Sequence, residues 1–192
     1  MNFVLFGHSF VRRLRNKRSF VMTIKLERAQ VPITCLGEGG LTLDRIRARP
    51  EAYFRQIKKA QPSILILDLG TNDLSSKDVE PAELCTSLRD LVYELVAWDI
   101  SPSIVVFLPV LPRTGSMRRN QVSVAQFNKK AEVFNQLLGD MTFLEDGWFV
   151  WKHRGLQHPR YNADGVHLNE RGMVQYERTL KQLVKFFEAR FW

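Results

Sequence analysis

Five short runs of apolar, β-type residues punctuate the chain: "NFVLF" (2–6), "VPITCL" (31–36), "SILILDL" (63–69), "SIVVFLPV" (103–110) and "MTFLE" (141–145). The central runs are continuous rather than alternating, as strands covered on both faces should be. Between the runs, apolar positions fall at helical spacing. Leu84, Leu88, Leu91, Val92, Leu95 and Val96 share one face behind Pro81, whose fixed φ suits a first helical position. Phe127, Ala131, Phe134, Leu137 and Leu138 mark another helix. Met173, Tyr176, Leu180, Leu183, Val184 and Phe187 mark the last, opened by Asn169 as its N-cap. Strands alternating with helices specify βαβ units and a five-stranded, mostly parallel sheet with helices on both faces.

In open sheets of this kind, ligands bind beyond the carboxyl ends of the strands. Four strand ends carry polar or glycine-rich text: Gly7-His8-Ser9, "GEGGLT" (37–42), "GTNDL" (70–74) and "PVLPRTGS" (109–116). A fifth such segment, "NADGVHLN" (162–169), precedes the last helix. All five are expected along one edge of the sheet.

The bulk numbers narrow the class. A chain of 192 residues, 45% of them apolar, is expected to bury one core as a single domain spanning 1–192. No run approaches the roughly 18 apolar residues of a transmembrane segment. Basic residues follow the first strand at once, so no secretory signal is expected. Cys35 and Cys85 form neither a metal spacing nor a disulfide framework; reduced, buried thiols point to an intracellular, cytoplasmic setting. A net charge of +8 favours acidic partners, nucleic acid or an anionic membrane. A core strand that begins at residue 2 suggests a domain excised from a longer polypeptide.

The segments at the strand ends contain the parts of an acyl-transfer site, which needs a nucleophile, a base, a group to orient the base, and donors for the developing oxyanion. Ser9 stands where a helix begins, as either a nucleophile or a plain N-cap. Its own N–H and that of Gly40 are candidate oxyanion donors, with the side-chain amide of Asn72 as a third. His167 is the candidate base, and Asp164, three residues earlier, the candidate partner that holds its ring. Asp44, Asp68 and Asp73 compete for the acid role. Asp68, inside an apolar strand, suits a structural hydrogen bond, and Asp73 suits fixing the Asn72 loop. Each piece also has an ordinary turn or capping explanation; their order along one chain favours the chemistry. His8, His153, His158 and His167 show no metal-binding spacing, so no metal site is expected. Gly-x-Ser-x-Gly is absent because Val11 stands at its last position, and the α/β-hydrolase arrangement fails on spacing.

Ser9 in "GHS", Gly40 in "GEGG", Asn72 in "GTND" and the Asp164/His167 pair in "DGVHLN" resemble the four blocks of the SGNH hydrolases, also called GDSL esterases and lipases. The blocks occur in the family's order and span residues 7 to 169. The resemblance implies a three-layer α/β/α fold of flavodoxin-like type and cofactor-free hydrolysis of small esters, thioesters or lipids. One block departs from the pattern: His8 stands where the family usually has aspartate. That aspartate is usually a supporting residue, so His8, with Asp73, is expected to support the site. The text of "GHSFVRRL", "WKHRG" (151–155) and "DGVHLNERG" (164–172) looks like esterase domains in the first-frame proteins of some non-LTR retrotransposons. That likeness implies one domain of an RNA- or membrane-associating polypeptide.

The rival class is a binding module on the same fold, acting through its basic residues with weak or no catalysis. Arg12, Arg13, Arg15, Lys17 and Arg18 crowd the first helix and its exit, Arg45, Arg47 and Arg49 the second, and Arg118 and Arg119 a later loop. They suit phosphate contact, though no base-reading motif accompanies them. Trp148, Phe149 and Trp151 are expected to pack the floor or rim of the site. Phe191 and Trp192 are expected either to anchor the last helix or to form an association patch.

Overall fold

A computed structural model describes residues 1–14, 21–26, 30–115, 122–156 and 164–191. Strands β1 (Phe3–Gly7), β2 (Val21–Lys25), β3 (Gln30–Gly37), β4 (Ile64–Asp68), β5 (Ile104–Phe107) and β6 (Trp148–Val150) form one sheet in the order β2-β3-β1-β4-β5-β6. Every neighbouring pair is parallel except β2 and β3. Without β2, five parallel strands remain in the flavodoxin-like order, with the second strand outside the first and the third on its other side.

The two-residue period of each strand sends alternate side chains into two separate cores. Val4, Phe6, Leu65, Leu67, Val105 and Phe107 meet one set of helices: α2 (Leu43–Ala48), α3 (Pro50–Ala60), α4 (Pro81–Ala97) and α5 (Val124–Phe143). Phe3, Leu5, Ile64, Ile66, Ile104 and Val106 meet α1 (Ser9–Leu14) and α6 (Glu170–Phe191) on the opposite face. The result is the expected three-layer α/β/α sandwich. No described helix is long and apolar enough to cross a membrane.

Helix starts follow local chemistry. Pro81 opens α4, and Ser123 caps α5 in a reciprocal capping box with Gln126. The Asn169 carboxamide oxygen accepts from the Gly172 N–H at 3.0 Å, so the expected cap of α6 is in place.

Two elements differ from the sequence reading. "MTFLE" is not a strand, because Met141 continues the buried helical face of Phe134 and Leu138 through the end of α5. Phe143 and Leu144 are left 89% and 80% exposed, and the last strand comes later, at Trp148–Val150. The antiparallel β2 was not foreseen because only Ile24 of its five residues is buried. An edge strand with one buried position gives almost no periodic signal.

Strand β1 is the topological switch point. It pairs with β3 on one side and β4 on the other, and the chain leaves β1 for one face of the sheet and β4 for the opposite face. A crevice opens at their carboxyl ends. Phe134, fully buried in the larger core, tests the packing that holds this edge. Phe134→Ala is expected to cost about 3–5 kcal/mol in urea unfolding.

Candidate active site

Three parallel strands stop level with one another, Gly7 pairing with Gly37 of β3 and with Asp68 of β4. The loops beyond them converge on a cleft of about 600 Å³ that Ser9, Arg12, Gly40, Asn72, Arg113 and His167 help to line. Ser9 begins α1 directly from the end of β1, with 8% of its surface exposed. Its N–H is one of the helix-start donors that receive no intrahelical partner.

Asp164 and His167 form a locally closed unit. One carboxylate oxygen, Oδ1, accepts the backbone N–H groups of Val166 at 2.8 Å and His167 at 2.9 Å. The other, Oδ2, lies 2.8 Å from His167 Nδ1. Burial pushes the carboxyl up, but these hydrogen bonds outweigh it and bring the Asp164 pKa down to about 2. An ionised Asp164 only accepts, so Nδ1 carries a proton toward it and Nε2 is the ring nitrogen not engaged by the carboxylate. The turn that presents this pair is stitched to the loop after β5, since the Gly165 carbonyl accepts from Thr114 and Gly115, each at 3.0 Å. Gly165 has φ +64, and a Cβ there would sit 2.2 Å from the Gly115 nitrogen, so no other residue fits.

The donor side is braced in the same way. Asn72 Nδ2 donates to the Leu41 carbonyl at 2.9 Å, which uses one amide hydrogen and leaves the second. Asp73 Oδ1 accepts the Leu43 N–H at 2.8 Å, so Asp73 ties the Asn72 loop to the start of α2. Burial raises the Asp73 pKa. Gly40, at φ +69, turns the chain between these contacts, and its carbonyl accepts from Arg45 at 3.1 Å. The cleft brings Ser9, Gly40, Asn72 and His167 together. Among the described residues, no direct hydrogen bond joins Ser9 to His167.

Beneath the Ser9 turn lies a buried polar cluster. Asp68, at the end of β4, accepts a 2.6 Å hydrogen bond from the Tyr176 hydroxyl of α6. His8 Nε2 lies 3.1 Å from the other Asp68 oxygen, close in distance but poorly aligned as a hydrogen bond. The His153 ring lies 5.4 Å from that of Tyr176. Burial alone pushes Asp68 up, yet His8 and the Tyr176 hydroxyl hold its carboxyl below the usual range. Burial and the neighbouring carboxylate raise Tyr176 well above its ordinary value, and burial lowers His153. His8 and Tyr176 thus flank the Asp68 carboxylate directly behind Ser9 in the chain fold.

Sequence reasoning missed Tyr176 as a polar group, because its spacing marked it only as core. A buried tyrosine hydroxyl needs a partner, and Asp68 in an apolar strand needs a donor; pairing those two needs was the available signal. Arg113 was also missed. Its guanidinium donates to Ser75 Oγ at 2.7 Å and the Thr71 carbonyl at 3.0 Å, and it stacks 4.1 Å over Phe127. The expectation for Trp148, Phe149 and Trp151 is corrected: none lines the cleft. They belong to β6 and the residue after it, and pack at the sheet edge on Phe107, Phe187 and Phe186 respectively. Arg15, Lys17, Arg18, Arg118, Arg119, His158 and Trp192, with the Phe191 side chain, lie outside what the structure describes.

No family model and no curated protein matches this sequence. Solved structures do match along nearly the whole chain. An acetylxylan esterase from Geobacillus stearothermophilus is similar at TM-score 0.62 and 14% identity, covering 94% of this chain and 93% of the other. A lipase/acylhydrolase from Enterococcus faecalis gives 0.63 and 16% identity, with 96% of each chain covered. A member of the lipolytic G-D-S-L family from Veillonella parvula gives 0.62 and 17%, over 92% and 94%. The chain has the fold of SGNH hydrolases.

Two outcomes test the site's electrostatics. In a carboxyl NMR titration, Asp164 is expected to titrate at about 2. Because the folded pKa is depressed, the Asp164 contribution to stability is complete above about pH 4 and fades as the pH falls toward about 2. Tyr176→Phe, which leaves the buried Asp68 one donor short, is expected to lose about 1–3 kcal/mol in urea unfolding.

Proposed function

We propose that the chain is a serine esterase that hydrolyses carboxylic esters through Ser9, His167 and Asp164. The single observation that carries this reading is the meeting, in one cleft, of Ser9, Gly40 and Asn72 with a histidine already paired to an ionised carboxylate. His167 Nε2 takes the proton of the Ser9 hydroxyl as its oxygen attacks the ester carbonyl carbon. Asp164 stabilises the imidazolium that forms. The N–H groups of Ser9 and Gly40 and the free amide hydrogen of Asn72 hold the oxyanion. The intermediate collapses, the alkoxide leaves with the proton from His167, and an acyl-serine remains. Water, deprotonated by the same ring, then attacks the acyl group and restores Ser9.

The solved structures of esterases and acylhydrolases with this fold support the reaction class. Short acyl groups, acetyl foremost, and lipid esters are the substrates we propose. Cys35 and Cys85 are both buried, which suits an intracellular setting, and the likeness of "GHSFVRRL" to retrotransposon esterase domains supports a place within such a polypeptide. A second reading, association with an anionic polymer or membrane, is favoured by a surface groove that Arg13, Lys25, Arg178 and Lys181 line against one acid, Glu177. It predicts binding that weakens with salt and survives Ser9→Ala.

The test is a p-nitrophenyl ester series, acetate to decanoate. Ser9→Ala is expected to abolish turnover while leaving the circular dichroism spectrum and melting transition intact. Asn72→Ala is expected to lower kcat by about two to three decades. Undiminished turnover in the Ser9 variant would overturn the assignment.

A further inference from the structure

The cleft is cationic. Arg12, Arg45 and Arg113 line it, and no carboxylate does among the described residues. Two of these arginines are engaged internally. Arg45 pairs with Glu38 and donates to the carbonyls of Gly39 and Gly40, so it fixes the turn that presents Gly40. Arg113, 6% exposed, ties Thr71 and Ser75 to the loop after β5 and so braces the Asn72 segment.

Arg12 is different. It follows Ser9 by three residues on α1, which places it on the same helical face, about 4.5 Å further along the axis. Its guanidinium lies flat against Gly39, where an added Cβ would come within 2.9 Å of Nη1. Glycine at 39 therefore leaves room for that charge beside the cleft. Among the described residues, the Arg12 side chain makes no ion pair and no hydrogen bond. The nearby carboxylate of Glu38 has its two oxygens occupied by Arg45 and Tyr53. A guanidinium seated against a glycine, exposed beside a cleft and without an ion pair among the described residues, has donors to offer a ligand.

We propose that Arg12 is a specificity-determining residue that binds an oxyanion on the substrate, and that the preferred substrates are esters bearing a phosphate or carboxylate within a few bonds of the scissile carbonyl. The proposal rests on the esterase reading and narrows it. The planar fork matches either anion with two parallel hydrogen bonds, and the charges of Arg45 and Arg113 raise the local concentration of such substrates. The anion has two sources, a lipid phosphodiester headgroup or a small acidic ester, which share this recognition chemistry.

The test compares kcat/KM for para-acetoxybenzoate, its neutral methyl ester and a soluble acetyl ester of a glycerophosphodiester, each normalised to its rate without protein. The wild type is expected to favour the anionic esters over the neutral one, with a preference that shrinks as salt is added. In Arg12→Gln, the anionic-to-neutral ratio is expected to fall about ten- to hundredfold, as for a lost charge-assisted hydrogen-bonded contact. Arg12→Lys, which keeps the charge without the fork, is expected to fall between. The better of the two anionic esters identifies the source. Turnover with a ratio that Arg12→Gln leaves unmoved overturns this inference and leaves the esterase reading standing. If the folded wild type hydrolyses none of the three, the esterase reading fails, and calorimetric titration with phenyl phosphate decides the anion site. Affinity reduced about tenfold or more in Arg12→Gln supports it, and equal affinity overturns it.

Discussion

The whole site depends on the level ending of three adjacent parallel strands. Gly7 pairs with both Gly37 and Asp68, so β1, β3 and β4 stop together and release their chains into one crevice. Parallel pairing makes this possible, because only parallel neighbours put successive carboxyl ends on the same edge. A one-residue slip in either register would turn Ser9 or Asn72 toward the opposite face. The two cores prevent it, since Phe6, Leu67 and Phe107 cannot exchange faces with Leu5, Ile66 and Val106 without emptying both layers.

On that edge, the groups are positioned by contacts that make no use of a substrate. Asp73 reaches α2, Asn72 reaches the Leu41 carbonyl, Arg113 reaches the loop after β4, and Thr114 and Gly115 reach Gly165. Each bond crosses from one loop to the next, so the crevice is lined by a continuous series of braces rather than a set of independent turns. Such preorganisation is what an oxyanion-binding arrangement requires, because donors already in place need no rearrangement when charge develops.

Much of this could be read from the sequence, and the failures share a physical cause. The strands buried on both faces announced themselves as continuous apolar runs, and the loops that follow them carried the polar text. What stayed hidden was either at an edge or between distant segments. Strand β2 buries only Ile24, and β6 has three residues, so neither accumulates a period. Tyr176 and Asp68 are unreadable as a pair until the fold brings α6 against β4. Arg113 looks like any loop arginine until Phe127 and Ser75 surround it. Local pattern carries burial; it does not carry partnership.

The pairing of Asp164 with His167 is of another kind, because both side chains and the two backbone N–H groups they use lie within four consecutive residues. Closing so short a loop costs little conformational entropy, so the acid–base pair is nearly a property of the local chain. Ser9 arrives from the opposite end of the polypeptide and shares the cleft with this pair only when α1 and α6 have both docked on the same face of the sheet. The two halves of the arrangement thus have unequal durability. The nearness of Ser9 to His167 depends on the whole fold, whereas the nearness of His167 to Asp164 depends on four residues.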